Sequence, residues 1–199
     1  MAESDGLKPQ PHGELLASKR EVEQRIKWLA RLTVDAYGQD ERKPIFVALL
    51  RGALPFATQL TTAIAETDPD FHPELDVMTV STYGKGREPK QPEVVMGIDE
   101  SKTSVAGRRV IVLDDMLDKG VTAAFVGDYF IERQASAVDL AVLTVKQTER
   151  AACFDDFPGE VIHCFEVPDV WVTGMGMDDN RIGHEANRWM PYLAVAQEA

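Results

Sequence analysis

Residues 110–125, VIVLDDMLDKGVTAAF, decide how the rest of the chain is read. Val110–Leu113 is a continuous apolar run, the composition of a strand covered on both faces. Two adjacent carboxylates, Asp114 and Asp115, end that run. A third, Asp118, follows, and Gly120-Val121-Thr122 leads into a helical stretch over 121–133. A glycine loop between strand and helix commonly receives a phosphate on backbone N–H groups, yet acids repel phosphate. The conflict dissolves if the ligand is a sugar phosphate. Carboxylates accept hydrogen bonds from vicinal hydroxyls, while helix-start N–H groups and the Thr122 hydroxyl donate to phosphate.

Outward from this stretch, strand and helix patterns alternate. Ile45–Leu50 is a short apolar run behind Pro44, and residues 55–65 read as a helix with Pro55 in its first turn. Residues 75–83, LDVMTVSTY, form a β-branched strand, and a Gly/Pro/charge-rich loop follows from residue 84. Strands are expected at 94–98 and 138–145. Alternation from 45 to 145 argues for an α/β fold with a parallel sheet. In front of it, Val22, Ile26 and Leu29 mark a helix over 14–37. Behind it lie short β segments at 161–167, 170–173 and 192–195.

Composition narrows the partners. The 199 residues carry 21 Lys+Arg against 33 Asp+Glu, a net charge of −12, which disfavours nucleic acid and anionic lipid. No stretch approaches the ~18 apolar residues of a membrane span, and the N-terminus lacks a signal-peptide core. Two cysteines are too few for a disulfide framework or a Cys-based zinc site, so a cytoplasmic protein with reduced thiols is expected. The four histidines are scattered and suggest no metal cluster.

VIVLDDMLDKGVTA resembles the phosphoribosyl-pyrophosphate signature of type I phosphoribosyltransferases. Four more segments, in the family's order, resemble its hypoxanthine-guanine branch: VALLRGALPFATQL, STYGKG, LTVKQTER, and VPDVWVTGMGMDDNR with NRWMPYLAV. The resemblance implies a central twisted, mainly parallel sheet flanked by helices, with a small hood built from the chain ends. Residues 1–13, aperiodic and containing Pro, Gly and His, read as a flexible tail, and the resemblance implies one domain over 14–199. That domain would have its core at about 44–165 and its hood from about 14–40 and 166–199.

The implied reaction transfers a 5-phosphoribosyl group from phosphoribosyl pyrophosphate to hypoxanthine or guanine, with Mg²⁺, in purine salvage. Asp118 is then the general base. Asp114 and Asp115 hold the ribose hydroxyls, directly or through the metal, and Asp178 is the second metal-site acid. Lys119, Gly120, Val121 and Thr122 cradle the 5′-phosphate, although the commonest pattern there is Thr-Gly-Lys-Thr. Arg51 and Gly52 belong to a pyrophosphate loop that the family builds on a non-proline cis peptide.

Lys146 donates to the purine 6-oxo group, Trp171 stacks on the base, and the Val172 backbone meets its Watson–Crick edge. Thr82 and Tyr83 begin a loop that closes over the site. Arg188 contacts pyrophosphate, with Arg181 as its competitor, and Arg150 supports the same side. The family is typically a homodimer or homotetramer.

Two other classes share features with this chain. A receiver domain would place its acid pair after the first strand, where Arg51-Gly52 stands instead. An RNA-binding regulator on the same fold would want a basic face. Xanthine as the preferred base stays open.

Overall fold

The structure, a computed structural model, describes residues 13–83, 89–179, 181–183 and 185–196, without the side chains of Thr82, Tyr83, Pro89 and Lys90. Residues 1–12 of the tail expected over 1–13, and residues 84–88 of the expected loop, lie outside the described residues.

Six strands form the main sheet. In chain order they are β2 (Ile45–Leu49), β3 (Glu74–Tyr83), β4 (Pro89–Met96), β5 (Arg109–Leu117), β6 (Ala137–Lys146) and β7 (Val161–Val167). Their spatial order is β4-β3-β2-β5-β6-β7, parallel throughout except for β4, which runs antiparallel to β3. This is the mainly parallel α/β sheet expected from the alternation of elements. Every residue of β2 is buried, because helices cover both faces. Phe46 and Ala48 pack under α1 (Lys19–Tyr37) and α2 (Leu54–Thr67). Ile45 and Val47 pack on the other side with Val126 and Phe130 of α3 (Val121–Glu132). One strand thus feeds two cores through its period of two.

From β2 the chain passes through α2 to β3 on one side, and from β5 through α3 to β6 on the other. The β2–β5 boundary is therefore the point where the winding reverses. Open α/β sheets leave a crevice beyond the carboxyl ends of the strands at such a point.

Boundaries differ from the sequence reading in several places. The strand expected at 94–98 is β4, which begins at Pro89 inside the expected loop and ends at Met96; two further differences matter more. The front helix was expected from Glu14, but Leu15–Ala17 form β1 and α1 starts at Lys19. Ser18 caps the helix: its hydroxyl accepts from Glu21 N at 3.4 Å while Ser18 N donates to the Glu21 carboxylate at 2.8 Å. That reciprocal pair is a capping box. β1 pairs instead with β9 (Leu193–Val195), which also pairs with β8 (Val172–Thr173), so the chain ends meet in a three-stranded sheet.

The second difference bears on the site. β5 does not stop at Leu113 but runs on to Leu117, carried by its ladder to β6, where Asp114 faces Val142 and Met116 faces Thr144. Asp114 and Asp115 are thus held inside a strand rather than on a solvated turn.

Candidate active site

β5 outruns its neighbour. The last β2–β5 register pair is Ala48 with Leu113; after Leu49 the chain turns away through a cis Leu50–Arg51 peptide. The notch so opened is a cavity of about 210 Å³ lined by Leu49, Leu50, Gly52, Val80, Asp114, Asp115, Thr122 and Arg188. Gly52 lets the turn close onto the acids, for a Cβ there would sit 1.9 Å from Asp115 Oδ2. Gly176, at φ 109, presses onto the same turn, since its Cβ would sit 1.7 Å from the Gly52 carbonyl oxygen. Acid, turn and C-terminal segment are therefore stacked with no spare space.

Burial, then the neighbouring Asp115 charge, pushes the Asp114 carboxyl well above its ordinary range. Asp115 is also raised by burial, against the opposing pull of its hydrogen bond from Asp114 and the Arg188 charge. Two acids crowded in this way gain from a cation or from hydroxyl donors.

The loop between β5 and α3 is shaped by Gly120, at φ 85, which stands at the N-cap of α3. A Cβ there would meet the Phe154 ring at 2.5 Å, and no side chain caps the helix. The first N–H groups of α3 are thus left to other acceptors, with Thr122 beside them on the cavity wall. Asp118, Lys119 and Val121 are exposed around this loop.

On the other flank, Lys146 closes β6 with 13% of its side chain exposed. Its Nζ lies 3.4 Å from Asp118 Oδ2 and 3.5 Å from Asp169 Oδ1. The lysine is thus held next to the acid read as a base. Trp171 is half-exposed, and its indole N–H donates to the Asp178 carbonyl at 3.0 Å. Val172, beside it in β8, is buried.

The two competing arginines separate. Arg188 lines the cavity, pairs with Asp178 at 3.0 Å and donates to the Gly176 carbonyl. Arg181 instead binds Asp179 through Nε at 2.8 Å and Nη2 at 2.9 Å, with its guanidinium 5.3 Å from the Trp171 ring centroid. Arg150 donates to the carbonyls of Lys146 and Thr148, both at 3.0 Å, so it braces the loop behind Lys146 rather than the pyrophosphate side. Arg51 is largely exposed and pairs with Glu185 at 2.8 Å. Thr82 and Tyr83 end β3; their side chains lie outside the description. Among the described residues no three His, Cys, Asp or Glu side chains cluster as a metal site.

Sequence reasoning passed over Gly176, Asp169 and Glu185. The glycine had a signal in the Gly174-Met-Gly176 pattern, a mark of close backbone approach. The two acids had none, because Lys146 and Arg51, which they meet, come from distant parts of the chain.

A parallel sheet with its ligand crevice at the winding reversal, lined by paired acids and a glycine-capped helix start, defines a nucleotide- or sugar-phosphate-handling α/β protein. Residues 14–180 match the phosphoribosyl transferase domain family, and the chain belongs to it. Its relatives narrow the branch. The hypoxanthine-guanine phosphoribosyltransferase of Bacillus subtilis is 31% identical over 188 residues, covering 94% of each chain. That of Streptococcus thermophilus is 32% identical over 187 residues, 93% of each.

Solved structures share the fold. A hypoxanthine-guanine phosphoribosyltransferase from Bacillus anthracis superposes with a TM-score of 0.71 at 24% identity, over 92% of this chain and 96% of that one. The hypoxanthine phosphoribosyltransferase of Trypanosoma cruzi gives 0.76 at 19% identity, over 94% and 99%.

Proposed function

We propose that this chain transfers the 5-phosphoribosyl group of phosphoribosyl pyrophosphate to hypoxanthine or guanine, in purine salvage. A purine ring nitrogen bonds to carbon 1′ as the bond from carbon 1′ to the pyrophosphate oxygen breaks. Pyrophosphate leaves, and the nucleoside 5′-monophosphate forms. The observation that carries this reading is the notch where Asp114, Asp115, the Gly52 turn, Thr122 and Arg188 converge, in a chain related over 93–94% of its length to enzymes named for this activity.

Asp118 takes the proton that the purine nitrogen loses, as a positioned base worth ~10²–10⁴ in rate. Lys146, fixed beside it, donates to the 6-oxo group and so disfavours adenine, whose amino group would face a donor. Trp171 offers its ring to the base, with Val172 alongside. Gly120, Val121 and Thr122 receive the 5′-phosphate at the start of α3, and Lys119 adds charge at the rim. Arg51, Gly52 and Arg188 hold the diphosphate. Thr82 and Tyr83 stand at the end of β3.

Asp114 and Asp115 fit a divalent cation through their crowding, which a cation relieves. They would hold one Mg²⁺, and Asp178, which does not cluster with them, would serve a second; the cation charge would offset that of the departing pyrophosphate. Asp178 is tied to Arg188, so its role begins when that pair loosens. A cytoplasmic setting goes with phosphorylated substrates. A homodimer or homotetramer is the expected assembly, with Trp28 and Leu32 partly exposed on α1.

The test is turnover of phosphoribosyl pyrophosphate and Mg²⁺ with hypoxanthine, guanine, xanthine and adenine in turn. Activity with hypoxanthine or guanine, and not adenine, is the expected result. Activity with adenine alone, or with no base, would sink the reading. Activity strongest with xanthine would move the preferred base while keeping the chemistry.

A further inference from the structure

One well-placed side chain has no part in this scheme. Glu185 lies between Asp178 and Arg188, with its backbone at φ 62 and 23% of its side chain exposed. Its carboxylate faces two guanidiniums, Arg51 Nη2 at 2.8 Å and Arg188 Nε at 2.5 Å. These cations come from separate parts of the fold: Arg51 follows β2, and Arg188 precedes β9. Arg188 is 11% exposed, so the bridge is not a loose surface pair of negligible effect. A carboxylate between two guanidiniums takes the position a phosphate oxygen pair would take, because the same planar donors read both groups.

We propose that Glu185 is a positioning residue that holds Arg51 and Arg188 in place of the diphosphate, which must displace it to bind. The proposal rests on the reading of those two arginines as diphosphate contacts. It follows from charge as well as geometry. Glu185 adds a negative charge beside a notch already lined by Asp114 and Asp115, with Asp178 on the same arginine.

When the carboxylate withdraws, Arg188 keeps its anchors on Asp178 and the Gly176 carbonyl. Arg51, with 60% of its side chain exposed, is the arm that turns. Only molecules with the bridge open accept the diphosphate, so the apparent dissociation constant is raised by the inverse of that fraction. The same exchange helps pyrophosphate leave, as Glu185 returns to the arginines it vacated.

The test is calorimetric binding of inorganic pyrophosphate with Mg²⁺ to the full chain, together with the KM for phosphoribosyl pyrophosphate. Glu185→Gln is expected to tighten pyrophosphate binding and lower that KM by about tenfold each, the effect of abolishing a bridge closed in nine molecules of ten. kcat should not rise, because product then leaves more slowly. Glu185→Asp, too short to span both guanidiniums, should tighten binding in the same direction by less.

If the glutamine variant does not fold, the aspartate variant carries the test alone. Unchanged or weaker pyrophosphate binding in the folded variant, with wild-type turnover intact, would overturn the proposal and leave Glu185 as scaffold. A wild-type chain that neither turns over a purine nor binds pyrophosphate would sink the functional reading itself, and this proposal with it.

Discussion

Asp139 near the start of β6 and the Asp114–Asp115 pair near the end of β5 are acids on adjacent strands of one sheet, and they are treated in opposite ways. Asp139 is 2% exposed and well partnered. Its Oδ2 accepts from Arg109 Nη1 and from the Tyr37 hydroxyl at 3.3 Å, and its Oδ1 accepts from Glu160 N at 3.0 Å. Burial and that carboxylate push the Tyr37 hydroxyl up, which keeps it a donor. Asp114 and Asp115 instead face each other and an open notch, and burial pushes both upward. An acid that serves the fold is satisfied within the fold. Asp114 Oδ1 accepts from Asp115 N, at 2.9 Å, and a crowded pair of this kind is the arrangement the proposed ligand role needs.

Gly52→Ala is expected to break the ligand end most severely. The added Cβ would collide with Asp115 Oδ2 at 1.9 Å, and an acid displaced by an ångström or more costs about 100-fold in rate. Steady-state turnover of hypoxanthine checks this, with circular dichroism to show that the sheet persists. Activity within about threefold of wild type would mean that Asp115 adapts and that its placement is not critical.

Asp139→Asn should sharpen the contrast from the other end. It replaces a buried, charge-paired carboxylate and leaves Arg109 and Tyr37 poorly matched. The expected loss is about 2–3 kcal/mol, read as a melting temperature lower by about 5–10 °C for a chain of this size. KM and kcat below the melting range should stay within about twofold of wild type, since Arg109 and Tyr37 lie outside the notch. A kinetic defect without a stability loss would erase the distinction between the two ends.

The structural end was easier to read in the sequence than the ligand end. Apolar runs such as Ile45–Leu49 and Val110–Leu113 announce buried parallel strands by composition alone. The overrun of β5 through Asp114–Leu117 was not legible, because acids in a strand read as its end. What carries the strand onward is a ladder to β6, a non-local fact. The same holds for Leu15–Ala17, whose partner strand lies at the far end of the chain. The capping box at Ser18 and Glu21 was legible in principle, but apolar spacing in the helix masked the stop before it.

At the site, residue types and order pointed to Asp114, Asp115, Asp118 and Thr122. Which of Arg188 and Arg181 lines the notch was not legible, because it depends on the turn at Gly176 that Arg188 joins. Glu185 had no sequence signature, since its meaning lies in Arg51, brought to it and to its neighbour Arg188 by the fold.

The most direct measurement is the rate of hypoxanthine phosphoribosylation by Asp118→Asn beside the wild-type chain, at saturating phosphoribosyl pyrophosphate and Mg²⁺. Asp118 has 49% of its side chain exposed and sits 3.4 Å from Lys146, so the amide fits without repacking; it removes the base and one charge partner of Lys146, which keeps Asp169 at 3.5 Å. A fall in kcat of about 100-fold or more, with an unchanged melting temperature, is the predicted result. Turnover within about threefold of wild type would contradict the account and place the proton on another group.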